Sequence, residues 1–210
     1  MKKILSNDPV IYTIDNFLTK EECNHIINIT DNNMNRGRLC DTKNPVTNSR
    51  TNDVKWLDKD YDNIILDITK KIANIIYDEK YVKNINKEDY FNYSEKLQVI
   101  RYYENQEYKA HYDGWYPGTE KWDKYCKQYG QRMITVLVYL SDVEEGGGTK
   151  FPKNNITILP KIGKLLVFHN CHYNTNILHD KSLHAGLPVI KGTKWAFNLW
   201  FREKKNTNIK

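Results

Sequence analysis

Apolar residues recur along this chain with two different periods, and the period changes near residue 95. In the first part, Thr19 followed by Glu22 is a capping-box pattern, and Cys23, Ile26 and Ile27 then share a face, which predicts a short helix. Tyr61, Ile64, Ile65, Ile68, Ile72, Ile75 and Ile76 keep the i, i+3, i+4, i+7 rule, so a second helix is expected whose stripe packs on something large and flat. From about Glu95 the period falls to two. Runs rich in β-branched and aromatic residues cover 97–103, 108–113, 133–140, 164–168 and 194–202, each predicted as a strand. Turns are marked by Glu144-Glu145-Gly146-Gly147-Gly148 and Lys191-Gly192-Thr193. Helices first and short strands later predict an α+β fold, a barrel or sandwich with the helices laid on its outside.

Without a repeat or an obvious linker, the 210 residues read as one domain, with 1–94 mainly helical support and 95–203 the strand-rich core. Hydrophobic residues at 40% and 15 tyrosines suit a packed globular protein and exclude a disordered one. The net charge of +6 is spread among acidic residues, as on an ordinary solvated surface, so nucleic acid is not expected as a partner. No 18-residue apolar run is present, and no membrane span is expected. The opening MKKILSNDPV meets Asn7, Asp8 and Pro9 before a signal-like apolar stretch develops, which makes the cytosol the expected compartment. Cys23, Cys40, Cys126 and Cys171 show no CxxC pair and are expected to be free thiols.

Candidate chemistry begins with His111 and Asp113. Two apart on a predicted strand, they point to one side, where one metal ion could take both. In a chain of this composition such a triplet arises by chance about 0.4 times, so it needs further support. A distant second histidine would complete the facial triad that leaves open positions on Fe(II). Of the candidates, His169, His172 and His179 fall in or beside an Asn-rich polar segment and read as solvent-facing loop residues. His184 lies in Ser182-Leu183-His184-Ala185-Gly186, just before Pro188-Val189-Ile190, and the turn at Gly192 leads back into the last strand, so His184 and Lys194 are expected on adjoining strands. In that strand Trp195, Phe197, Leu199 and Phe201 form a core side. Lys194, Ala196, Asn198, Trp200 and Arg202 form the other, whose cations either are solvated or, on an inner face, want an anion.

Taken in order, Leu97-Gln98-Val99-Ile100-Arg101-Tyr102, Tyr108-Lys109-Ala110-His111-Tyr112-Asp113, Arg132 to Gly147, the His184 segment and Lys191-Gly192 with Lys194-Trp195 resemble the prolyl 4-hydroxylases of the collagen and plant type. Asp15-Asn16-Phe17-Leu18 with Glu21-Glu22-Cys23 is similar to that family's opening helix, so the resemblance covers nearly the whole chain. It implies a double-stranded β-helix, the jelly-roll or cupin-like fold. It also implies that His111, Asp113 and His184 hold Fe(II), that Lys194 pairs with the distal carboxylate of 2-oxoglutarate, and that Tyr102 and Thr135 hydrogen-bond that cosubstrate. Relatives acting on the hypoxia factor or on alkylated bases use arginine there, a planar fork where lysine is a compact point charge. Gly148 departs from the family's frequent Glu, and Arg202 from its frequent His.

The implied reaction uses O2, decarboxylates 2-oxoglutarate to succinate and CO2, and hydroxylates C4 of a peptidyl proline, with L-ascorbate restoring oxidised enzyme. The expected substrate is a proline-rich or collagen-like segment, since polyproline II is read by aromatic-lined grooves. Tyr108, Arg132, Trp200 and Arg202 are the candidate groove residues, with Trp115, Tyr116, Trp122, Tyr125 and Tyr129 in a lid-length loop at 114–130. The alternatives are the same chemistry on a lysyl residue or on a single proline of a globular or ribosomal protein, and a non-catalytic binder of proline-rich peptide or nucleic acid. The oligomeric state, monomer or dimer, stays open.

Overall fold

The computed structural model describes residues 1–39, 48–78 and 86–205. Its elements are, in order, β1 (Lys2–Asn7), β2 (Val10–Ile14), α1 (Lys20–Thr30), β3 (Asn35–Arg36), β4 (Asp53–Leu57), α2 (Asn63–Tyr77), β5 (Leu97–Tyr102) and β6 (Tyr108–His111). They continue with α3 (Glu120–Cys126), β7 (Arg132–Tyr139), β8 (Glu145–Gly146), β9 (Thr149–Phe151), β10 (Ile156–Ile158), β11 (Leu165–His169), β12 (His184–Gly186), β13 (Val189–Lys191) and β14 (Lys194–Arg202). The eight-stranded sheet runs β1-β2-β11-β7-β14-β5-β4-β3, the four-stranded sheet β10-β9-β12-β6, and β8 pairs with β13. All of these ladders are antiparallel. The arrangement is jelly-roll-like, and among the described residues no ladder closes it into a barrel.

Helices α1 and α2 arise where the periodicity puts them, whereas α3 lies inside the 114–130 stretch expected as a loop, capped by Thr119, which accepts from the Trp122 N–H. Thr19 and Glu22 cap α1 reciprocally, side chain to backbone in both directions. Asp62 caps α2 by accepting from the Ile65 N–H. Ile65, Ile68, Ile72 and Ile76 are buried against the outer face of the large sheet, with Leu97, Val99, Val136, Val138, Phe197, Leu199 and Phe201 beneath them. Each such isoleucine contributes about 2 kcal/mol. Of the stripe, Tyr61 precedes α2 and is 57% exposed, and Ile64, in its first turn, is 42% exposed.

Two expectations change. Residues before 95 supply four strands as well as two helices, and β1 to β4 extend both edges of the large sheet. These strands are short, and β3 has two residues, too few to display a period of two. His169 ends β11 and is buried, and His179 is 2% exposed; only His172 of the three is the surface loop residue expected.

The opposite face of the large sheet packs on the small one. Ile100, Tyr102, Leu137, Tyr139, Phe168 and Ala196 meet Phe151 and Ile158 in a second core. That core fills one end of the space between the sheets and leaves the other end open. The glycine run earns its place at Gly146, with φ +81°, where a Cβ would come within 2.5 Å of the Pro188 carbonyl oxygen. Cys23, Cys126 and Cys171 are buried thiols, and Cys40 lies outside the described residues. Among the described residues no helix is long and apolar enough to cross a membrane.

Candidate active site

The open end holds the histidines and the acid together. His111 closes β6, and His184 opens β12 directly opposite it as its antiparallel partner. The strand stops at His111, so Asp113 reaches the site from the bend that follows. Even so, the Asp113 carboxylate bridges the two imidazoles, Oδ1 3.6 Å from His111 Nε2 and Oδ2 3.6 Å from His184 Nε2. One donor atom from each of the three lies within 4.8 Å of the other two.

The protonation pattern suits a cation. Nδ1 of His111 faces the Lys109 carbonyl oxygen at 2.8 Å, and Nδ1 of His184 faces that of Ser182 at 3.0 Å. A carbonyl only accepts, so each Nδ1 carries the proton and each Nε2 presents its lone pair to the centre. Burial, against the attraction of Asp113, pulls His184 down to about 4. Burial also opposes ionisation of Asp113, but the imidazoles of His184 and His111 and the Arg132 guanidinium outweigh it and hold the carboxyl well below the usual carboxylate range. The set is one carboxylate and two imidazole nitrogens, which suits a divalent transition metal.

A second group, Asp8, His172 and His179, matches in composition and differs in chemistry. There the Lys181 N–H donates to His179 Nδ1 at 3.1 Å, so the proton sits on Nε2 and is given to Asp8 Oδ1 at 3.0 Å. That nitrogen is a donor already used, and the contact ties the β1–β2 turn to the 170–182 segment.

Lys194 opens β14 with 2% of its surface exposed. Its Nζ lies 5.1 Å and 5.5 Å from the ring centroids of Tyr102 and Tyr139. Among the described residues no carboxylate pairs with it, and burial alone pulls it down to about 7. His184 and Lys194 share a cleft of about 1210 Å³. They do not lie on adjoining strands as expected: β12 belongs to the small sheet and β14 to the large one, because β13 pairs with β8 between them. The two side chains face each other across the fold.

Thr135 does not take the place expected of it. Its hydroxyl donates to Asp113 Oδ2 at 2.8 Å and does not line the cleft, because β7 sets it beneath the acid. The threonine on the cleft wall near Lys194 is Thr149, which accepts from the Tyr139 hydroxyl at 2.7 Å. Thr149 was missed because a lone threonine beside a glycine run has no pattern of its own. Tyr102 lines the cleft as expected, its phenol raised by burial.

Three of the four expected groove residues line the cleft, namely Tyr108, Arg132 and Trp200. Tyr108 stacks on His111, ring centroids 3.6 Å apart, and Arg50 lies over its ring at 4.8 Å. Arg132 sits 3.7 Å over Trp200 and is held from behind by Glu95, Nε to Oε1 2.6 Å. Arg202 is the exception. It is buried, shares Glu95 with Arg132 at 2.7 Å, and donates to the carbonyls of Tyr125 and Gly130. A guanidinium there reaches past the groove to pin the end of the 114–130 loop. In that loop Trp115 and Tyr116 line the cleft, whereas Tyr125 stacks on Trp115 from outside, 5.0 Å away. Arg50 was also missed; its neutral partners, Asn52, Gln98 and the Arg38 carbonyl, come from three separate stretches.

Residues 97–202, which hold every candidate ligand, match the family model described as the 2OG-Fe(II) oxygenase superfamily. A stretch of 115 residues is 44% identical to a protein of Acanthamoeba polyphaga mimivirus that carries a prolyl 4-hydroxylase name, covering 55% of this chain and about half, 48%, of that one. Prolyl 4-hydroxylase 5 of Arabidopsis thaliana is 32% identical over 95% of this chain and 70% of its own length. The solved structure of the viral collagen prolyl hydroxylase from Paramecium Bursaria Chlorella virus-1, in its 2OG complex, superposes with a TM-score of 0.73 at 32% identity, covering 93% of this chain and 96% of that one.

Proposed function

The chain belongs to the prolyl 4-hydroxylases of the 2OG-Fe(II) oxygenase superfamily, and from that membership we propose that it hydroxylates peptidyl proline at C4 in proline-rich or collagen-like segments. His111, Asp113 and His184 hold the Fe(II), and Lys194 pairs with the distal carboxylate of 2-oxoglutarate. The observation that carries this reading is one cleft containing three convergent donor groups and, across from them, a buried lysine with no carboxylate partner among the described residues.

Bound Fe(II) supplies the oxidative chemistry, in which O2 and 2-oxoglutarate give succinate, CO2 and one hydroxyl on the prolyl ring, with ascorbate restoring metal oxidised in uncoupled turnovers. The protein's own part is electrostatic and geometric. Asp113 is already an anion, and both imidazoles have Nδ1 committed to a carbonyl, so Nε2 is the nitrogen each turns to the metal. At Lys194 a carboxylate about 4 Å away is worth about 4 kcal/mol at an effective dielectric of 20, against about 1 kcal/mol in water. Burial thus makes the cleft selective for a dianion. Tyr102, Tyr139 and Thr149 enclose that end with polar groups around an apolar wall.

The peptide lies along the other arm, where Arg132 on Trp200, Tyr108, Trp115 and Tyr116 provide flat aromatic faces and hydrogen-bond donors. A polyproline II strand, with a solvated backbone and stacking rings, fits such a wall at small entropic cost. The test is mass spectrometry of a peptide panel with Fe(II), 2-oxoglutarate and ascorbate. A gain of about 16 Da on proline in proline-rich or (Pro-Pro-Gly)n peptides is expected. Turnover confined to lysyl peptides, or to one folded protein, would overturn the substrate assignment.

A further inference from the structure

Asn170 lies one residue past β11 and is fully buried, as is the Thr135 side chain it touches. Its Nδ2 donates to Thr135 Oγ1 at 2.8 Å, and Thr135 Oγ1 donates to Asp113 Oδ2 at 2.8 Å. The direction of this chain is forced. An ionised carboxylate only accepts, so Thr135 must give it the hydroxyl proton and turn a lone pair to Asn170, which must then donate. That orientation explains why Asn170 Oδ1 is left buried with no partner among the described residues.

The same residue holds the other half of the site by its backbone. The Asn170 carbonyl accepts from the His179 N–H at 2.8 Å, the His179 carbonyl accepts from the Ser182 hydroxyl at 2.7 Å and the Ser182 N–H at 3.0 Å, and the Ser182 carbonyl in turn fixes Nδ1 of His184. One residue therefore reaches Asp113 through its side chain and His184 through its main chain. It anchors both from β11, a central strand of the large sheet.

Resting on the metal-centre reading above, we infer that Thr135 and Asn170 are positioning residues that hold Asp113 to the metal through one oxygen, by engaging Oδ2 in a directed relay, and set His184 in register with it. A carboxylate free to rotate could present both oxygens to the ion and occupy a position that the 2-oxoglutarate chelate or O2 needs. With Oδ2 committed to Thr135, Oδ1 is the oxygen available. Outer partners of this kind typically affect metal affinity about 10- to 100-fold.

The probe is Mn(II), titrated into the full-length chain and followed by electron paramagnetic resonance, with thermal melting of each apo variant to confirm folding. Thr135→Val, nearly isosteric, is expected to weaken Mn(II) about 10- to 100-fold, and Thr135→Ser to restore binding to near the unmodified value. Asn170→Asp, which offers an acceptor and turns the Thr135 hydroxyl away from Asp113, is expected to weaken it at least as much as Thr135→Val. Unchanged affinity in Thr135→Val, or an equal loss in Thr135→Ser, overturns the relay while leaving the metal centre standing. Failure of the unmodified chain to bind Mn(II), or binding that survives Asp113→Ala, overturns the metal centre and the relay with it.

Discussion

Lys194 and Tyr102 are cross-strand partners of β14 and β5, and the lysine ammonium lies 5.1 Å from the tyrosine ring centroid on the inner face of the large sheet. The aromatic wall lowers the dielectric around a charge that has no carboxylate among the described residues. Lys194→Ala is therefore expected to raise the KM for 2-oxoglutarate about 10- to 100-fold, the loss of one to two charge-assisted contacts, with a smaller effect on kcat. Lys194→Arg should not rescue it, because a planar fork does not fit a slot shaped around a point charge between two tyrosines. Succinate formation against cosubstrate concentration checks both.

Cosubstrate binding should depend on pH in one direction. With Lys194 near 7 in the free cleft, the ammonium is present below that pH and available to a dianion. As pH rises through about 7 the free amine predominates, and binding must recover a proton, so Kd should increase by up to about tenfold per pH unit. Calorimetry in buffers of different ionisation enthalpy should show proton uptake at pH 8. A Kd independent of pH from 6 to 9 would contradict this.

His111→Ala, Asp113→Ala and His184→Ala should each abolish succinate formation and divalent metal binding. Asp8→Ala and His172→Ala should leave both intact, because the proton on His179 Nε2 already satisfies Asp8. Metal content after dialysis separates the two clusters.

Glu95 is the counter-ion of two arginines, Arg132 and Arg202. Burial works against its charge, but the arginines dominate and lower its pKa. Its contribution to stability is thus present above the ordinary glutamate range and lost as pH falls below it. Glu95→Ala leaves the buried Arg202 and the half-buried Arg132 without their carboxylate and should cost about 3–5 kcal/mol in urea denaturation, with the 114–130 loop becoming more susceptible to protease than the sheet.

Trp200→Leu removes the platform under Arg132 without touching a proposed ligand or Lys194. The KM for a proline-rich peptide should rise about tenfold or more while that for 2-oxoglutarate changes little. Equal changes in both would place Trp200 in the cosubstrate pocket.

Local pattern carried much of this protein. The capping box at Thr19, the isoleucine stripe of α2 and the alternation of β14 are statements about neighbours three, four or two residues apart, and they follow from helix and strand geometry alone. The place of His184 at the opening of a strand was legible in the same way, since it sits where a polar segment gives way to strand. Tertiary structure decided what depends on groups distant in sequence. Arg202 could be assigned to a face but not to Glu95, 107 positions away, and Thr135 could be placed on β7 but not under Asp113. Which nitrogen of His111, His184 and His179 carries the proton was likewise undecided until the carbonyls of Lys109 and Ser182 and the N–H of Lys181 were in place. Periodicity reports which face a side chain takes, whereas hydrogen bonds between remote segments set its charge, direction and partner, and those exist only once the two sheets have come together.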